Sequence, residues 1–277
     1  MTLPQSMTAE EQLRHAAELL HVDASAAAAQ LNEMLKANPL NADAYRLLAE
    51  AKETIHRRSS HAVNLRSLTV SAANIRLGHA AQALEADDLP TAEIILRARL
   101  LDQPTDVQAL RMMAELAARL GYKAEGIDLL RLALELAPDS PAIRFSLAAI
   151  LHRANRSAEA IDLLEALLTS GGDDLRVRSL LASALVRAGR FDDGVAAYQR
   201  TLERFPREAR TWMHYGHLLR TMGRLEKCAE ALRRSVEIAP ESGVVWWSLS
   251  DMKSVRLSHS DIDRIATVLR RDEEERT

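Results

Sequence analysis

One spacing, 34 residues, constrains this chain more than any other feature. Pro104, Pro138, Pro206 and Pro240 fall in one 34-residue register, and Gly172 fills the empty slot between them. Gly121, Asn155, Gly189 and Gly223 form a second series with the same step. These residue types tolerate positive φ, which a tight turn between helices often demands. A third series is Asp106, Ser140, Asp174, Glu208 and Ser242, four of which are good N-cap residues. Pro141 follows Ser140, at the position where proline best starts a helix. Two series of small residues complete the period. Ala80, Ala114, Ala148, Ala182 and Gly216 lie in one segment of each repeat; Ala92, Gly126, Ala160, Gly194 and Cys228 lie in the next. Small residues at fixed positions let two helices pass closely. Each period therefore reads as a cap, a helix of about 13 residues, a turn, a second helix and a proline stop.

Composition agrees with an all-α chain. Aromatic residues are only 4%, 47% of residues are hydrophobic, and Lys+Arg 36 nearly balances Asp+Glu 39. That apolar content supports a folded chain, and the charge balance argues against a dedicated nucleic-acid binder. One cysteine, Cys228, permits no intrachain disulfide. With no basic-then-apolar leader and no apolar run of membrane-spanning length, the expected location is cytoplasmic, with no membrane partner.

The pattern resembles the tetratricopeptide repeat, which implies a right-handed superhelical solenoid of helix-turn-helix units. First helices are expected from Ala73, Val107, Pro141, Leu175 and Ala209. Three regions follow: 1–72, irregular repeat-like helices; 73–240, five regular repeats; and 241–277, capping helices. In the first, Thr8 to Pro39 reads as a degenerate repeat, Asn41 caps a helix containing Tyr45 and Leu48, and His56 to Ser71 reads as an irregular helix or kink. In the last, Gly243 opens a helix with Trp246 and Trp247. Ser258 is expected to cap a final helix with the apolar stripe Ile262, Ile265 and Leu269.

A sharper resemblance covers roughly residues 211–270. Thr211-Trp212-Met213-His214-Tyr215-Gly216-His217, Thr221-Met222-Gly223-Arg224, Gly243, Trp246-Trp247-Ser248-Leu249, Lys253, Arg256, Ser258, Asp261 and Ile262 resemble the end of the repeat region in bacterial tetratricopeptide-containing sulfotransferases. In that family the repeats precede a domain that uses 3′-phosphoadenosine-5′-phosphosulfate. This chain has Val255, Leu257 and Ser250-Asp251 where the family leads one to expect aromatics and Ala-Asn. It contains no strand-loop-helix phosphate cradle, because every glycine beyond residue 100 already serves a turn, a close contact or a cap. The chain itself is therefore expected to be non-catalytic and to bind no cofactor, whatever domain accompanies it.

The remaining candidates for chemistry are few. His214 and His217 share a helix at i, i+3, but no zinc-like ligand set accompanies them; register puts His214 in packing and His217 in the groove. Cys228 stands at an alanine position and is expected to be buried. One of Trp246 and Trp247 should anchor the terminal repeat while the other faces outward.

The groove is the best functional candidate. In the repeat, positions 2, 5, 9 and 12–13 of each first helix face the concave side. Here those positions supply Arg111, Arg119, Phe145, His152, Arg153, Arg176, Arg187, Arg210, Met213, His217, Arg220 and Trp247 as partner-binding candidates. Arg119, Arg153, Arg187 and Arg220 form a stripe suited to carboxylate or phosphate groups. The same arginines could equally be solvated charges complementing helix C-termini. A two-residue Lys/Asn carboxylate clamp and a recurrent asparagine ladder are both absent from the regular repeats. The expected ligand is a protein or peptide segment, acidic or mixed acidic-apolar. Two roles remain open: the substrate-presenting arm of a sulfotransferase, or a stand-alone interaction and assembly module.

Overall fold

A computed structural model of the chain describes residues 7–58, 66–172, 174–252 and 259–274, with the side chains of 58, 66–74, 268–269 and 271–274 left aside. All regular structure among these residues is helical. Fifteen helices are present among them: α1 Ala9–Val22, α2 Ala24–Ala37, α3 Ala42–Arg58, α4 Arg66–Glu85, α5 Leu89–Asp102, α6 Val107–Arg119, α7 Lys123–Leu136, α8 Pro141–Arg153, α9 Ser157–Thr169, α10 Leu175–Arg187, α11 Phe191–Arg204, α12 Ala209–Thr221, α13 Leu225–Ile238, α14 Gly243–Ser250 and α15 His259–Glu274. They divide into two compact units, 1–154 and 155–277.

The turn and cap series explain where the helices stop. Gly121, Gly189 and Gly223 have φ of 95°, 78° and 72°, and Asn155 takes the same slot at φ 63°. Asp87, one period before Gly121, also adopts positive φ (58°), so the series extends to a residue type that its glycines do not suggest. Asp106 and Asp174 cap α6 and α10 by accepting backbone N–H bonds, which satisfies donors the first turn would leave unpaired. Ser140, Glu208 and Ser242 occupy the corresponding cap positions of α8, α12 and α14 without a side-chain cap bond. Helices α6, α8, α10 and α12 are each 13 residues long and begin where the period places them. Helix α4 departs from the register: it begins at Arg66 rather than Ala73 and runs for 20 residues.

In the first unit, α4 packs on α5 and α6, α6 on α7 and α8, and α7 on α8. The small-residue series marks the close crossings. A Cβ added at Gly126 would lie 2.9 Å from the Ala114 carbonyl oxygen. The N-terminal helices do not simply extend this succession. Helices α1, α2 and α3 pack together, and α3 also lies against α7, the second helix of a later repeat. Arg46 of α3 forks onto Glu135 of α7 at 3.0 and 2.9 Å. Lys52 donates to the last carbonyls of α5, Leu101 and Asp102, at 2.7 Å each. A cationic side chain there satisfies groups that a helix C-terminus leaves unpaired.

In the second unit, α9 packs on α10, α10 on α11 and α12, α11 on α12, α12 on α13, and α13 on α14. A Cβ at Gly194 would meet the Val186 side chain at 2.8 Å, and one at Gly216 would meet the Leu232 side chain at 2.9 Å, so a larger residue at either position would displace its neighbour. Cys228 is fully buried, 3.7 Å from the sulfur of Met252, and burial raises its thiol above the usual range. Of the final helix, Ile262 is exposed and Ile265 partly exposed. Ser258 lies outside the described residues, as do Lys253, Val255, Arg256 and Leu257.

A second recurrent contact ties first helices to the preceding chain. The fourth residue of a first helix donates to the proline carbonyl six residues back. Arg144 reaches Pro138 at 2.6 Å, Trp212 reaches Pro206 at 2.9 Å and Trp246 reaches Pro240 at 2.8 Å. Tyr45 makes the same bond to Pro39 at 2.9 Å in the N-terminal helices. One carbonyl thus accepts from a phenol, a guanidinium or an indole, because only donor reach and height on the helix matter.

Candidate functional site: the first-helix faces

The first-helix positions predicted to face the groove fall in both units. In the first unit, Arg111 and Arg119 lie on α6, and Phe145, His152 and Arg153 on α8. The arginines of this face are largely used internally. Arg119 contacts Glu115 at 3.1 Å and also donates to the Leu84 carbonyl at 2.5 Å. Arg153 holds the same Glu115 at 3.3 and 2.6 Å. Burial opposes ionisation of Glu115, but the hydrogen bonds and charges of Arg153 and Arg119 outweigh it, holding the carboxyl below its usual range. Arg111 donates to Gln108 at 3.2 Å. Phe145 is partly exposed, whereas His152, assigned to the groove on register, is buried at 9% exposure. Its ring belongs with the packed residues, not the open face.

In the second unit the face is built by α10, α12 and α14. Arg176 and Arg187 lie on α10; Arg210, Met213, His217 and Arg220 on α12; Trp247 on α14. Within α10 and α12 these residues step by three, four or ten to eleven along one stripe of the helix. Two contacts run between neighbouring helices of this face. Ser179 of α10 and Thr211 of α12 place their hydroxyls 3.4 Å apart, and Arg220 of α12 lies 3.9 Å from Asp251 at the end of α14.

The charges here are less occupied than in the first unit. Arg187 and Arg210 are exposed and have no ion-pair partner among the described residues. Arg176 contacts Asp174 at 3.1 Å near the helix start, with both side chains well exposed. The Arg220–Asp251 pair is long and solvated, so it holds its guanidinium only weakly.

Trp246 and Trp247 divide their roles. Trp246, 4% exposed, anchors α14 through the Pro240 bond, while Trp247 is 65% exposed. Met213 and His217 are partly exposed. Partial burial, then the charge of Arg220, holds the His217 imidazole below the usual histidine range. His214, placed in packing on register, instead retains solvent access; partial burial, Arg210 and His217 lower its pKa too. Among the described residues no group of three or more His, Cys, Asp or Glu is placed to hold a metal ion. No described helix is long and apolar enough to cross a membrane.

The Pro-carbonyl bonds and the Glu115 clamp are not apparent from a search for groove positions. The first could be found by asking what fills the fourth helix position. The second requires knowing that Glu115 sits within reach of both Arg119 and Arg153, one on its own helix and one on the next first helix, α8.

Comparisons with known proteins agree with the repeat fold. The family model described as the cytochrome c-type biogenesis protein H TPR domain matches residues 69–208, and a tetratricopeptide-repeat model matches 179–243. Both describe repeats, and neither is a sulfotransferase model. No curated protein matches the chain. Among solved structures, MamA from Desulfovibrio magneticus RS-1 is 20% identical, covers 62% of this chain and 97% of its own, and superposes with a TM-score of 0.55. MamA AMB-1 is 22% identical over 60% of this chain and 96% of its own, with a TM-score of 0.52. YrrB, described as a TPR protein with an unusual peptide-binding site, is 14% identical over 79% of this chain and 96% of its own, with a TM-score of 0.50. At these identities the likeness is one of fold.

Proposed function

We propose, for a chain that belongs to the tetratricopeptide-repeat family described as the cytochrome c-type biogenesis protein H TPR domain, a non-catalytic scaffold that binds a partner protein segment on its first-helix faces. The segment is acidic or mixed acidic-apolar, and the role is one of assembly. The observation that carries this reading is Trp247: a large apolar ring, 65% exposed, in the same unit's first-helix series as Met213 and as Arg187 and Arg210, which have no ion-pair partner among the described residues. Exposed aromatics beside cations supply apolar anchoring together with charge steering, the usual division of labour at a protein interface. The assembly role rests on the biogenesis family match.

The second role, an arm presenting substrate to a sulfotransferase, rests only on the residue run within 211–270. Reading the coding sequence past Thr277 separates the two, since a phosphosulfate-binding domain encoded there would support the arm.

The test captures partners from lysate on the full chain and measures affinity against salt. Arg187→Glu with Arg220→Glu should weaken binding and flatten its salt dependence, and Trp247→Ala should speed dissociation at any salt. Glu165→Lys and Arg200→Glu, on second helices, should change little. Loss of binding in the second-helix variants with none in the groove variants would overturn the reading.

A further inference from the structure

The second unit's face is organised in bands. Arg176 and Arg210 stand near the starts of α10 and α12, and Arg187 and Arg220 near their ends. The two arginine rows are separated by ten or eleven residues along each helix, about 15 Å at the α-helical rise. Between them lie Ser179 on α10, Met213 on α12 and Trp247 on α14, at equivalent positions. The Ser179–Thr211 contact links α10 to α12 at the level of this middle band. The result is a middle band with two apolar side chains, Met213 and Trp247, beside the Ser179 hydroxyl and His217, flanked on both sides by guanidinium groups.

We infer that this face takes an acidic amphipathic helix, seated with its apolar stripe on Met213 and Trp247 and with carboxylates on both flanks reaching the two arginine rows. The inference rests on the groove reading above and narrows it to one unit and one conformation. The geometry favours a helix over an extended strand. An α-helix with side chains is about 10–12 Å across, which fits between rows about 15 Å apart. Its apolar stripe is bordered on both sides by polar positions, so it can satisfy both rows at once. An extended segment sends successive side chains to opposite faces, so it would present one line of side chains to a surface that has three bands.

Charge selects the second unit over the first. On α6 and α8 the carboxylate is already supplied from within, because Glu115 engages both Arg119 and Arg153. On α10 and α12, Arg187 and Arg210 have no carboxylate partner among the described residues, and Asp251 sits 3.9 Å from Arg220, where a partner's carboxylate can replace it. A helix seated on this face would cover these exposed guanidinium groups, and Arg–carboxylate pairs covered in that way gain strength over those in open water.

The experiment selects binders to the full chain from a displayed library of random 16-residue peptides. Recovered sequences are then measured as synthetic peptides against the wild type and two double variants. The expected result is peptides with apolar residues at i, i+3, i+4 and i+7, flanked by Asp or Glu. They should turn helical on binding, and a central proline should abolish binding. Arg210→Glu with Arg220→Glu should weaken them by about tenfold or more, as lost charge pairs do, while Arg119→Glu with Arg153→Glu leaves them within about twofold. Asp251→Asn should tighten them. Peptides that bind as extended or basic sequences, or that respond to the first-unit variant and not the second, overturn this inference and leave the scaffold reading standing. Recovery of no groove-dependent peptide overturns both.

Discussion

Arg153 of α8 reaches back to Glu115 of α6 and holds its carboxylate with both terminal guanidinium nitrogens, while Arg119 contacts the same carboxylate from one turn away. Two members of the arginine stripe are therefore engaged by one half-buried glutamate. Glu115→Gln should remove the charge that engages both, although Arg119 keeps its Leu84 carbonyl bond, and should raise the first unit's affinity for polyanionic peptides, read by titration at low salt. It should also alter the response to acid. The folded-state pKa of Glu115 is depressed, so the stability it contributes is fully present above the unfolded carboxylate pKa. That contribution is lost as pH falls through the lower folded value. Thermal melts below about pH 5 should therefore fall less steeply for Glu115→Gln than for the wild type; parallel curves would show that the clamp contributes no net stability.

Asp106 does two jobs at one helix start. Its carboxylate caps α6 by accepting from Gln108 and Ala109, and it pairs with Arg99 of α5 at 2.5 Å with both side chains nearly buried, at 11% and 14% exposure. Asp106→Ala should cost about 3–5 kcal/mol, because it strands a buried guanidinium as well as removing the cap. Arg99→Met with Asp106→Ser should recover much of that loss, since it removes the stranded charge and keeps a cap. Denaturant melts of the single and double variants decide this, and a single variant within about 1 kcal/mol of wild type would show the pair to be solvated.

Gly189 adopts φ of 78°, and a Cβ added there would meet nothing within 4 Å, so any penalty comes from backbone conformation alone. Gly189→Val should destabilise by about 1–3 kcal/mol, and Gly223→Val likewise. Gly189→Asn should be much milder, because Asn155 already holds the equivalent turn at φ 63°. Equal losses for Val and Asn, measured by denaturant midpoint, would point to a steric cause instead.

The Trp246–Pro240 bond is expected to be worth about 1 kcal/mol. Trp246→Phe keeps most of the buried ring and loses the donor, so its cost should sit near that figure, while Trp246→Ala should cost about 3–5 kcal/mol through the cavity it leaves. Trp247→Ala, on the exposed neighbour, should leave the melting midpoint nearly unchanged. A large loss at Trp247 would mean that the tryptophan roles are reversed.

The sequence by itself determined the local architecture. Turns that demand positive φ, capped helix starts and small residues at close crossings are all set by the conformational limits of single residues, and those limits recur every 34 positions. That is why Gly189, Asp174 and Gly216 could be placed, and why first helices from Val107 to Ala209 begin where the period puts them. Tertiary structure decided what the period does not encode. The docking of α3 on α7 depends on Arg46 and Glu135, 89 residues apart. The burial of His152 and the exposure of His214 depend on which neighbour covers each helix, whereas register fixes only the direction along a helix. The availability of each groove arginine was settled in the same way. Arg153 and Arg187 occupy equivalent positions in their repeats, but Arg153 pairs with Glu115 whereas Arg187 has no ion-pair partner among the described residues. A guanidinium is free or engaged according to the carboxylates around it in space, and a linear pattern of arginines carries no record of them.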